Sequence, residues 1–255
     1  MISEKKETLN FWEDKAKNVE DIRVVTHADT IQRQLEIDTL IKYLRQDDVV
    51  ADLGCGNGYA TAVLADHCKQ IFGYDFSPSM IDRAKKENFR DGKIHYDVLD
   101  IRKAKPCNQF SKAISIRCLI NILDWEDQKM AIKNITDSLV SGGTYLMMEG
   151  LADGRCELNR LREKIGLALM PKVDHNLDFE INRTNQYLEN FFHIDELKTF
   201  GSYEFITRLI YPLYIDKLTP EYGSRFHEIA FKICSELPDL NSSVSKFALW
   251  VLKKK

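Results

Sequence analysis

The sequence predicts an α/β protein built on a doubly wound, largely parallel sheet. Hydrophobic runs of strand length alternate with amphipathic stretches of helix length between residues 48 and 150, and short segments connect them. The glycine-rich segment "LGCGNGYAT" follows the first of these runs, and an acidic residue, Asp75, ends the second. Such an alternation favours parallel strands with helices on both faces of the sheet, because each crossover returns the chain to the same edge.

An amphipathic helix is predicted ahead of the first strand. Apolar residues recur there at helical spacing: Ile31, Leu35, Ile37, Leu40, Ile41 and Leu44. The segment "DVVADL" then has the pattern of a short buried strand, and the alanine-rich run from Tyr59 to Ala65 leads into the next helix.

The next elements continue the alternation. "QIFGYD" is the second predicted strand, and Ser77 with Pro78 supplies an N-cap and a first-turn proline for a helix. "KIHYDVLD" and "SKAISIR" are the third and fourth strands. Asp124 caps a helix that "SGG" ends, and "TYLMMEG" is the fifth strand.

The rest of the chain has a less regular pattern. "CELNRLREKIGLAL" is predicted as a helix, "MPKVDHNLDF" as a loop and "SKFALWVLKKK" as a final strand. We find no repeat and no linker-like segment, so the sequence predicts one domain over residues 1–255. Its predicted parts are a helical cap (1–47), a ligand-binding core (48–150), an acceptor-binding elaboration (151–244) and the final strand (245–255).

Composition limits the classes of partner. The 255 residues are 44% hydrophobic and carry a formal net charge of −3, so no strong positive field would attract nucleic acid or an anionic membrane. The six cysteines include no C-x-x-C pair and the histidines no H-x-x-x-H cluster, so no metal is expected. We find no signal-like N-terminal segment and no run of about 18 apolar residues, so we expect a cytoplasmic protein.

The glycines indicate a ligand site. Gly54, Gly56 and Gly58 follow the first strand, at the edge where doubly wound sheets bind ligands, and positions without side chains let a ligand touch the backbone. A dinucleotide usually needs G-x-G-x-x-G, whereas this loop is G-x-G-x-G and follows Asp52, which would repel a pyrophosphate. S-adenosylmethionine carries an ammonium and a sulfonium that a carboxylate attracts. Asp75 suits the ribose hydroxyls of either ligand.

These motifs together resemble the class I S-adenosylmethionine-dependent methyltransferases. The matching segments are "VVADLGCGNGYAT", "GYDFSPSMIDRAK", "IHYDVLDI" and "ITDSLVSGGTYLMMEG", and they cover about residues 49 to 150. The resemblance implies a Rossmann-like seven-stranded sheet whose last strand is antiparallel. "SKFALWVLKKK" suits that strand.

The resemblance also implies cofactor contacts at particular positions of this chain. It implies backbone contacts at Gly54 and Gly56, a ribose contact at Asp75, stacking near Phe76, and adenine recognition by Asp100 and Ile101. Asp97 is the alternative to Asp100, because the strand end can be counted three residues earlier. Asn57 and Arg117 complete the predicted cofactor contacts in the core.

The N-terminal segment is a further candidate for the cofactor site. In the resembling family, segments ahead of the first strand often fold over the cofactor, and here "NFWEDKA" offers Phe11 and Trp12. Arg33 could pair with the methionine carboxylate of S-adenosylmethionine. The alternative is that Phe11 and Trp12 pack on the core while Arg33 is solvated or forms a salt bridge.

The acceptor is predicted to be methylated on oxygen without a metal. Family members that methylate adenine or amide nitrogen usually carry an N/D-P-P-aromatic motif after the fourth strand, where this chain has "RCLINILDW". The segment after Glu149 holds polar residues suited to a small polar molecule, including a phosphorylated one. The predicted substrate contacts are Arg155, Asn159, Arg162, Asn176 and Tyr211, from a polar set that also includes Asp174 and Arg208. His175, or failing it Glu149, is the predicted general base.

A second, less specific resemblance concerns the acceptor. "RQLEIDTLIKYL" and "ELNRLREKIGL" are similar to segments of methyltransferases of bacterial surface-polysaccharide biosynthesis. This implies a sugar hydroxyl or a phosphoryl oxygen, such as a capsule phosphoramidate or a nucleotide-linked sugar precursor, as the acceptor. The alternatives are a protein that binds S-adenosylmethionine or a partner without turnover, and a methyltransferase of another small metabolite.

Overall fold

A computed structural model of the chain describes residues 2–107, 109–215 and 221–255, with side chains from residue 7 onward. In these ranges seven strands form one sheet in the order β3-β2-β1-β4-β5-β7-β6. The strands are β1 Val49–Leu53, β2 Gln70–Asp75, β3 Ile94–Val98, β4 Phe110–Ile116, β5 Leu139–Gly150, β6 Phe192–Thr199 and β7 Phe247–Lys254. β7 is antiparallel to both β5 and β6, which confirms the predicted Rossmann-like sheet with an antiparallel last strand.

The helices cover both faces of this sheet. They are α1 Ile2–Asn18, α2 Thr30–Ile41, α3 Tyr59–Leu64, α4 Pro78–Glu87, α5 Trp125–Ser138, α6 Ala152–Lys164, α7 Ile181–Leu188, α8 Gly201–Phe205, α9 Tyr211–Ile215 and α10 Arg225–Glu236. A π-helical turn, Ile206–Ile210, joins α8 to α9. Within the described ranges, no helix has the length and apolar character needed to cross a membrane.

Local sequence signals explain where several helices begin. The predicted N-caps are present: Ser77 accepts a hydrogen bond from the Met80 amide, and Asp124 from the Asp127 amide. Asp29 caps α2 in the same way. Such caps satisfy amides that have no partner within the helix.

One sequence prediction differs from the structure. The "SGG" segment is predicted to end a helix, but it lies inside β5, where residues 140–143 form a bulge between the Phe110–Leu139 and Lys112–Thr144 pairs. The segment 151–244, in which the sequence analysis places no particular strand, contributes β6 to the sheet. Residues 192–199 form β6 because they pair with β7, and this pairing also sets the irregular register of β6.

The strand order places the candidate site. The chain continues from β1 to β2 and β3 on one side of β1, whereas β4 and β5 lie on the other side of β1. The topological switch point therefore lies between β1 and β4. The loops at the carboxyl ends of these two strands therefore diverge and leave a crevice. Apolar clusters fill both faces of the sheet and fix these strand ends, one around Ile37 and Ile71 and the other around Leu53 and Trp250.

Candidate cofactor and acceptor site

The glycine loop after β1 has a conformation that explains its composition. Gly54, Gly56 and Gly58 have φ angles of 79°, 54° and 75°, in the left-handed region that favours glycine. A Cβ atom at Gly54 would overlap the Cys118 side chain. The start of the loop is bonded to β2, because the Gly54 N–H donates to the Tyr74 carbonyl at 2.7 Å.

Two buried carboxylates flank this loop. Asp52 accepts a hydrogen bond from the Thr61 hydroxyl at 2.6 Å, and Asp75 accepts from the backbone amides of Gly56 and Ser77, each at 2.9 Å. Burial raises the pKa of both Asp52 and Asp75 to about 6. A ligand that brings hydroxyl donors or a cation would therefore stabilise their ionised forms.

A cleft opens beside these carboxylates. Its empty volume is about 1130 Å³, including the part open to solvent. All the predicted cofactor residues except Asn57 line it: Trp12, Arg33, Asp52, Gly54, Gly56, Asp75, Phe76, Asp100, Ile101 and Arg117. The residues predicted to contact the ribose, the ammonium group and the adenine thus line one cavity.

Asn57 does not line the cavity, in contrast to the prediction. Its side chain is fully buried, and its Nδ2 donates to the Ile22 carbonyl at 2.8 Å. The backbone carbonyl of Asn57 accepts a hydrogen bond from the Asn88 side chain. Asn57 therefore connects the glycine loop to the segment before α2 and to the end of α4.

The two adenine-end candidates differ in position. Asp100 lines the cavity, whereas Asp97 is exposed and accepts a hydrogen bond from its neighbour's amide. Arg102 holds Asp100 through two hydrogen bonds of 2.7 Å. Burial acts to raise the pKa of Asp100, but the hydrogen bonds and charge of Arg102 outweigh it and lower that pKa.

The N-terminal segment covers the cavity, as the resemblance implied. Thr8 and Trp12 of α1 line it, and Thr26 lies over the glycine loop at Gly56. Glu13 anchors α1 by accepting from the Ser77 hydroxyl and the Ser79 amide at the start of α4. Sequence reasoning missed Glu13, because a charged residue in a charged helix gives no sign of its partner.

Arg33 is buried and lines the cavity, so it is not a solvated side chain. Its Nη1 donates to the Arg23 carbonyl at 2.7 Å, and its guanidinium lies 4.3 Å from the centre of the Tyr59 ring. Burial lowers the pKa of Arg33 to about 10, so it stays charged at neutral pH.

A buried ion pair, Glu36 with Arg117, forms a further part of the cavity wall. The Arg117 Nη2 lies 3.1 Å from the Glu36 carboxylate, and both residues line the cavity. Arg117 has a φ of 51°, an unusual value for a residue with a side chain. No local sequence pattern marks Glu36 as a site residue, although its position between Leu35 and Ile37 places it in a buried part of α2.

Glu149 does not face the cavity, which overturns its prediction as a base. Its carboxylate is fully buried and accepts hydrogen bonds from the Ser115 hydroxyl at 2.8 Å and the amides of Leu119 and Ile120. Burial raises the pKa of Glu149 to about 7. The carboxylate therefore fixes the turn after β4, because it satisfies amides that would otherwise have no partner.

His175 also lies outside the cavity lining. Its ring packs 4.3 Å from the Phe11 ring and 6.1 Å from the Trp12 ring, between centroids. Burial lowers the pKa of His175. The residue thus supports α1 from a position separated from the cavity by Trp12.

The five predicted substrate residues do not line this cavity. Each is engaged within the segment 151–244 or with a residue that packs against it. Arg155 pairs with Asp178, and Asn159 is hydrogen-bonded to the Met170 backbone. Arg162 donates to the carbonyls of Ala168 and Arg208. The backbone amide of Asn176 donates to the Val173 carbonyl, and the Tyr211 ring packs on Phe226.

The reason is the packing of that segment. α6 packs against the turn Ser242–Val244, and α8 packs against α10, so the polar side chains of 151–244 are used to hold these short elements together. In the part of the chain that the structure describes, no group of three or more His, Cys, Asp or Glu side chains could hold a metal ion.

Comparisons with known proteins point to one fold and one kind of cofactor. A family model described as a methyltransferase domain matches residues 50–143. The crystal structure of N-methyltransferase NodS from Bradyrhizobium japonicum with S-adenosyl-L-homocysteine superposes with a TM-score of 0.62. That match covers 97% of this chain and 98% of the other, at 15% identity, so it shows a likeness of fold.

The curated relatives that match by sequence include a synthase and a nodulation protein. The carboxy-S-adenosyl-L-methionine synthase of Nautilia profundicola is 30% identical over 61% of this chain and 67% of its own length. Nodulation protein S of Rhizobium tropici is 26% identical over 42% of this chain. The match spans 44% of that relative, less than half of its length.

Proposed function

The chain belongs to the class I S-adenosylmethionine-dependent methyltransferases, and we propose that it transfers the methyl group of this cofactor to a small polar acceptor. One observation carries the proposal: Asp52, Asp75 and Asp100 line one cavity beside a glycine loop in the left-handed conformation. The cofactor supplies a methyl group on a positively charged sulfur, which an acceptor atom attacks from the opposite side.

The residues present fit this cofactor. Asp75 is suited to accept hydrogen bonds from ribose hydroxyls, and Asp52 to attract the ammonium group, because burial leaves both carboxylates in need of donors. Arg33 is suited to the methionine carboxylate, because it is buried, charged and part of the cavity wall. Trp12 and Thr8 of α1 line the cavity and are placed to cover a bound cofactor.

For the chemical step, positioning is the main task of the protein. Displacement at a methyl group needs the acceptor atom in line with the bond that breaks. A protein that binds the acceptor in this geometry lowers the barrier, because the reactants have already lost their translational freedom on binding. A general base is needed only where the acceptor must lose a proton. Glu149 is not proposed for that role, because its carboxylate faces the turn after β4.

We further propose that the acceptor atom is oxygen, on a sugar hydroxyl or phosphoryl group of a surface-polysaccharide precursor. The segment "RCLINILDW" after β4 supports oxygen over a planar nitrogen, since it lacks the N/D-P-P-aromatic motif. The net charge of −3 supports an acceptor other than nucleic acid or an anionic membrane, and a cytoplasmic reaction remains part of the proposal.

The test is methyl transfer from labelled S-adenosylmethionine to a panel of sugar nucleotides and phosphorylated precursors, with products identified by mass spectrometry. An acceptor that gains one methyl group, together with release of S-adenosylhomocysteine, supports the proposal. Cofactor binding without transfer to any acceptor would support the alternative of a binding protein without turnover. The absence of cofactor binding would overturn the proposal.

A second candidate activity is the formation of a carboxylated cofactor. It is favoured by the 30% identity to the carboxy-S-adenosyl-L-methionine synthase of Nautilia profundicola. The mass of the cofactor extracted from the purified protein distinguishes the two, because a synthase of this kind would yield S-adenosylmethionine with an added carboxyl group.

A further inference from the structure

We propose that a basic recess beside the cofactor cavity binds an anionic group, a carboxylate or a phosphate, of a hydroxylated acceptor. The basic recess is formed by His27, Arg117, Arg208 and Lys246. This inference rests on the proposed function and names the site of its acceptor. Neither the predicted substrate residues nor the glycine loop belongs to the recess.

Contacts around Phe247 and Asp29 position the basic groups. The Lys246 ammonium lies 5.2 Å and the Arg117 guanidinium 5.5 Å from the centre of the Phe247 ring. Arg208 is held from the other side, because its Nη2 lies 3.1 Å from the Asp29 carboxylate. The Tyr203 hydroxyl donates to the same carboxylate at 3.0 Å.

His27 lies among these cations. Burial, followed by the charges of Arg117, Arg33, Arg208 and Lys246, holds the pKa of His27 well below its usual range. Its imidazole is therefore neutral at neutral pH. Both His27 and Lys246 keep some accessible surface although groups from several elements surround them, and this is typical of side chains that line a recess.

Several polar atoms of the recess have no protein partner. In the described parts of the chain, His27 Nδ1 and Arg208 Nη1 are buried without a hydrogen bond, and no carboxylate is in ion-pair contact with Lys246. Buried polar atoms without partners are rare and costly, so such groups point to a missing ligand. An anion would satisfy the ammonium and the guanidinium with charge-assisted hydrogen bonds.

The neighbouring acids define the rest of the ligand. Asp29 is engaged by Arg208, with His227 3.7 Å away, and Glu36 is engaged by Arg117. In contrast, both oxygens of the fully buried Glu204 lack a hydrogen-bond partner, and Arg208 Nε is 3.5 Å away. Glu204 is therefore an acceptor for hydroxyl groups, which is why we infer a hydroxylated anion.

The recess adjoins the cofactor cavity at Arg117, which lines that cavity. Glu36, which pairs with Arg117, and Arg33 line the cavity too. Thr26, next to His27, lies over Gly56 in the cavity wall. An acceptor held by its anionic group at Lys246 can thus extend a hydroxyl group towards the cofactor.

The test uses calorimetric titration of inorganic phosphate, and of acetate in parallel, into the full chain saturated with S-adenosylhomocysteine. Lys246→Met should weaken binding of the preferred anion about tenfold or more, since it removes a charge-assisted contact. Lys246→Arg should retain most of the affinity. Lys253→Met is the matched control, because Lys253 lies near the opposite end of β7 and is exposed. Its anion affinity should be unchanged.

The affinity for S-adenosylhomocysteine is measured for every variant and should stay within about twofold, because Lys246 is not among the residues that line the cofactor cavity. No binding of either anion, or equal binding by wild type and Lys246→Met, would overturn the inference and leave the proposed function intact. The same titration of the ligand-free chain is run in parallel, and anion binding there that saturation with S-adenosylhomocysteine abolishes would assign the recess to the cofactor carboxylate and also overturn the inference. A wild-type chain that does not bind S-adenosylhomocysteine would overturn both proposals.

Discussion

Most of the predicted site residues lie in two regions, the glycine-loop region (residues 49–122) and the segment 151–244. The two groups differ in where the structure places their side chains. In the first region, the predicted residues other than Asn57 line one cavity. In the second, the predicted substrate residues pair with their own neighbours, as Arg155 does with Asp178. Strand ends of a parallel sheet converge whatever the side chains are, whereas polar residues on short packed helices have many possible partners.

The strongest test of this difference is Gly54→Val. The left-handed φ and the overlap with Cys118 should together cost about 3 kcal/mol or more of unfolding free energy, and binding of S-adenosylhomocysteine should be lost. Denaturant unfolding and calorimetry measure the two effects.

Gly92→Val is the matched control for Gly54→Val. Gly92 also has a positive φ, 68°, but its Cβ would meet nothing within 4 Å. The Gly92→Val variant should lose about 1 to 2 kcal/mol of unfolding free energy from backbone strain alone and keep its affinity for S-adenosylhomocysteine. Equal effects at the two glycines would mean that the loop has no special role.

The next largest effect is expected for Asp75→Ala. Removal of the predicted ribose contact should weaken S-adenosylhomocysteine binding by about 2 to 4 kcal/mol. The variant also leaves the Gly56 and Ser77 amides without their acceptor, so its melting temperature should fall. Asp97→Ala is the control, because Asp97 is an exposed acid near the same sheet edge. Unchanged affinity in Asp75→Ala would remove Asp75 from the site.

A pH titration sharpens the comparison further. The folded chain holds the pKa of Asp52 and Asp75 at about 6, above the usual aspartate value of about 4. Their contribution to stability is therefore fully present below about pH 4 and is lost as the pH rises through about 6. The ligand-free protein should lose melting temperature over this window, and S-adenosylhomocysteine should bind more tightly as both acids ionise.

The variant Glu149→Gln separates the contribution of Glu149 from those of Asp52 and Asp75 at the upper end of this pH range. The pKa of Glu149 is about 7, so its contribution is lost as the pH rises through 7, and the variant should flatten the decline between about pH 5 and 7. Its kcat should change little, because the carboxylate faces the turn after β4. A kcat that falls a hundredfold without a change in the melting curve would restore Glu149 as a base.

The smallest effect is expected for His175→Ala. The ring supports Phe11 and Trp12, so its removal should raise KM for S-adenosylmethionine by less than about threefold and leave kcat nearly unchanged. Steady-state kinetics at several pH values provide the measurement. A hundredfold fall in kcat that is partly recovered at high pH would instead support the predicted proton transfer to His175.

Much of the fold was predictable because its signals are local. The N-caps at Ser77 and Asp124 are present, since a short polar side chain next to a helix start has few alternatives. The "SGG" segment shows the limit of such signals. Glycines at residues 142–143 suit a helix end as well as a bulge, and only pairing of β5 with β4 selected the bulge.

The sequence by itself determined the α/β sheet and the cofactor edge of this protein, because strand periodicity, left-handed glycines and acids at strand ends act through the backbone. Only the tertiary structure decided which charged side chains lie together beside the cavity. It paired Glu36 with Arg117, turned Glu149 towards the amides of Leu119 and Ile120, and gathered His27 and Lys246 from distant segments. Such partners depend on how helices pack, and no local pattern encodes which charged side chains a fold will bring together.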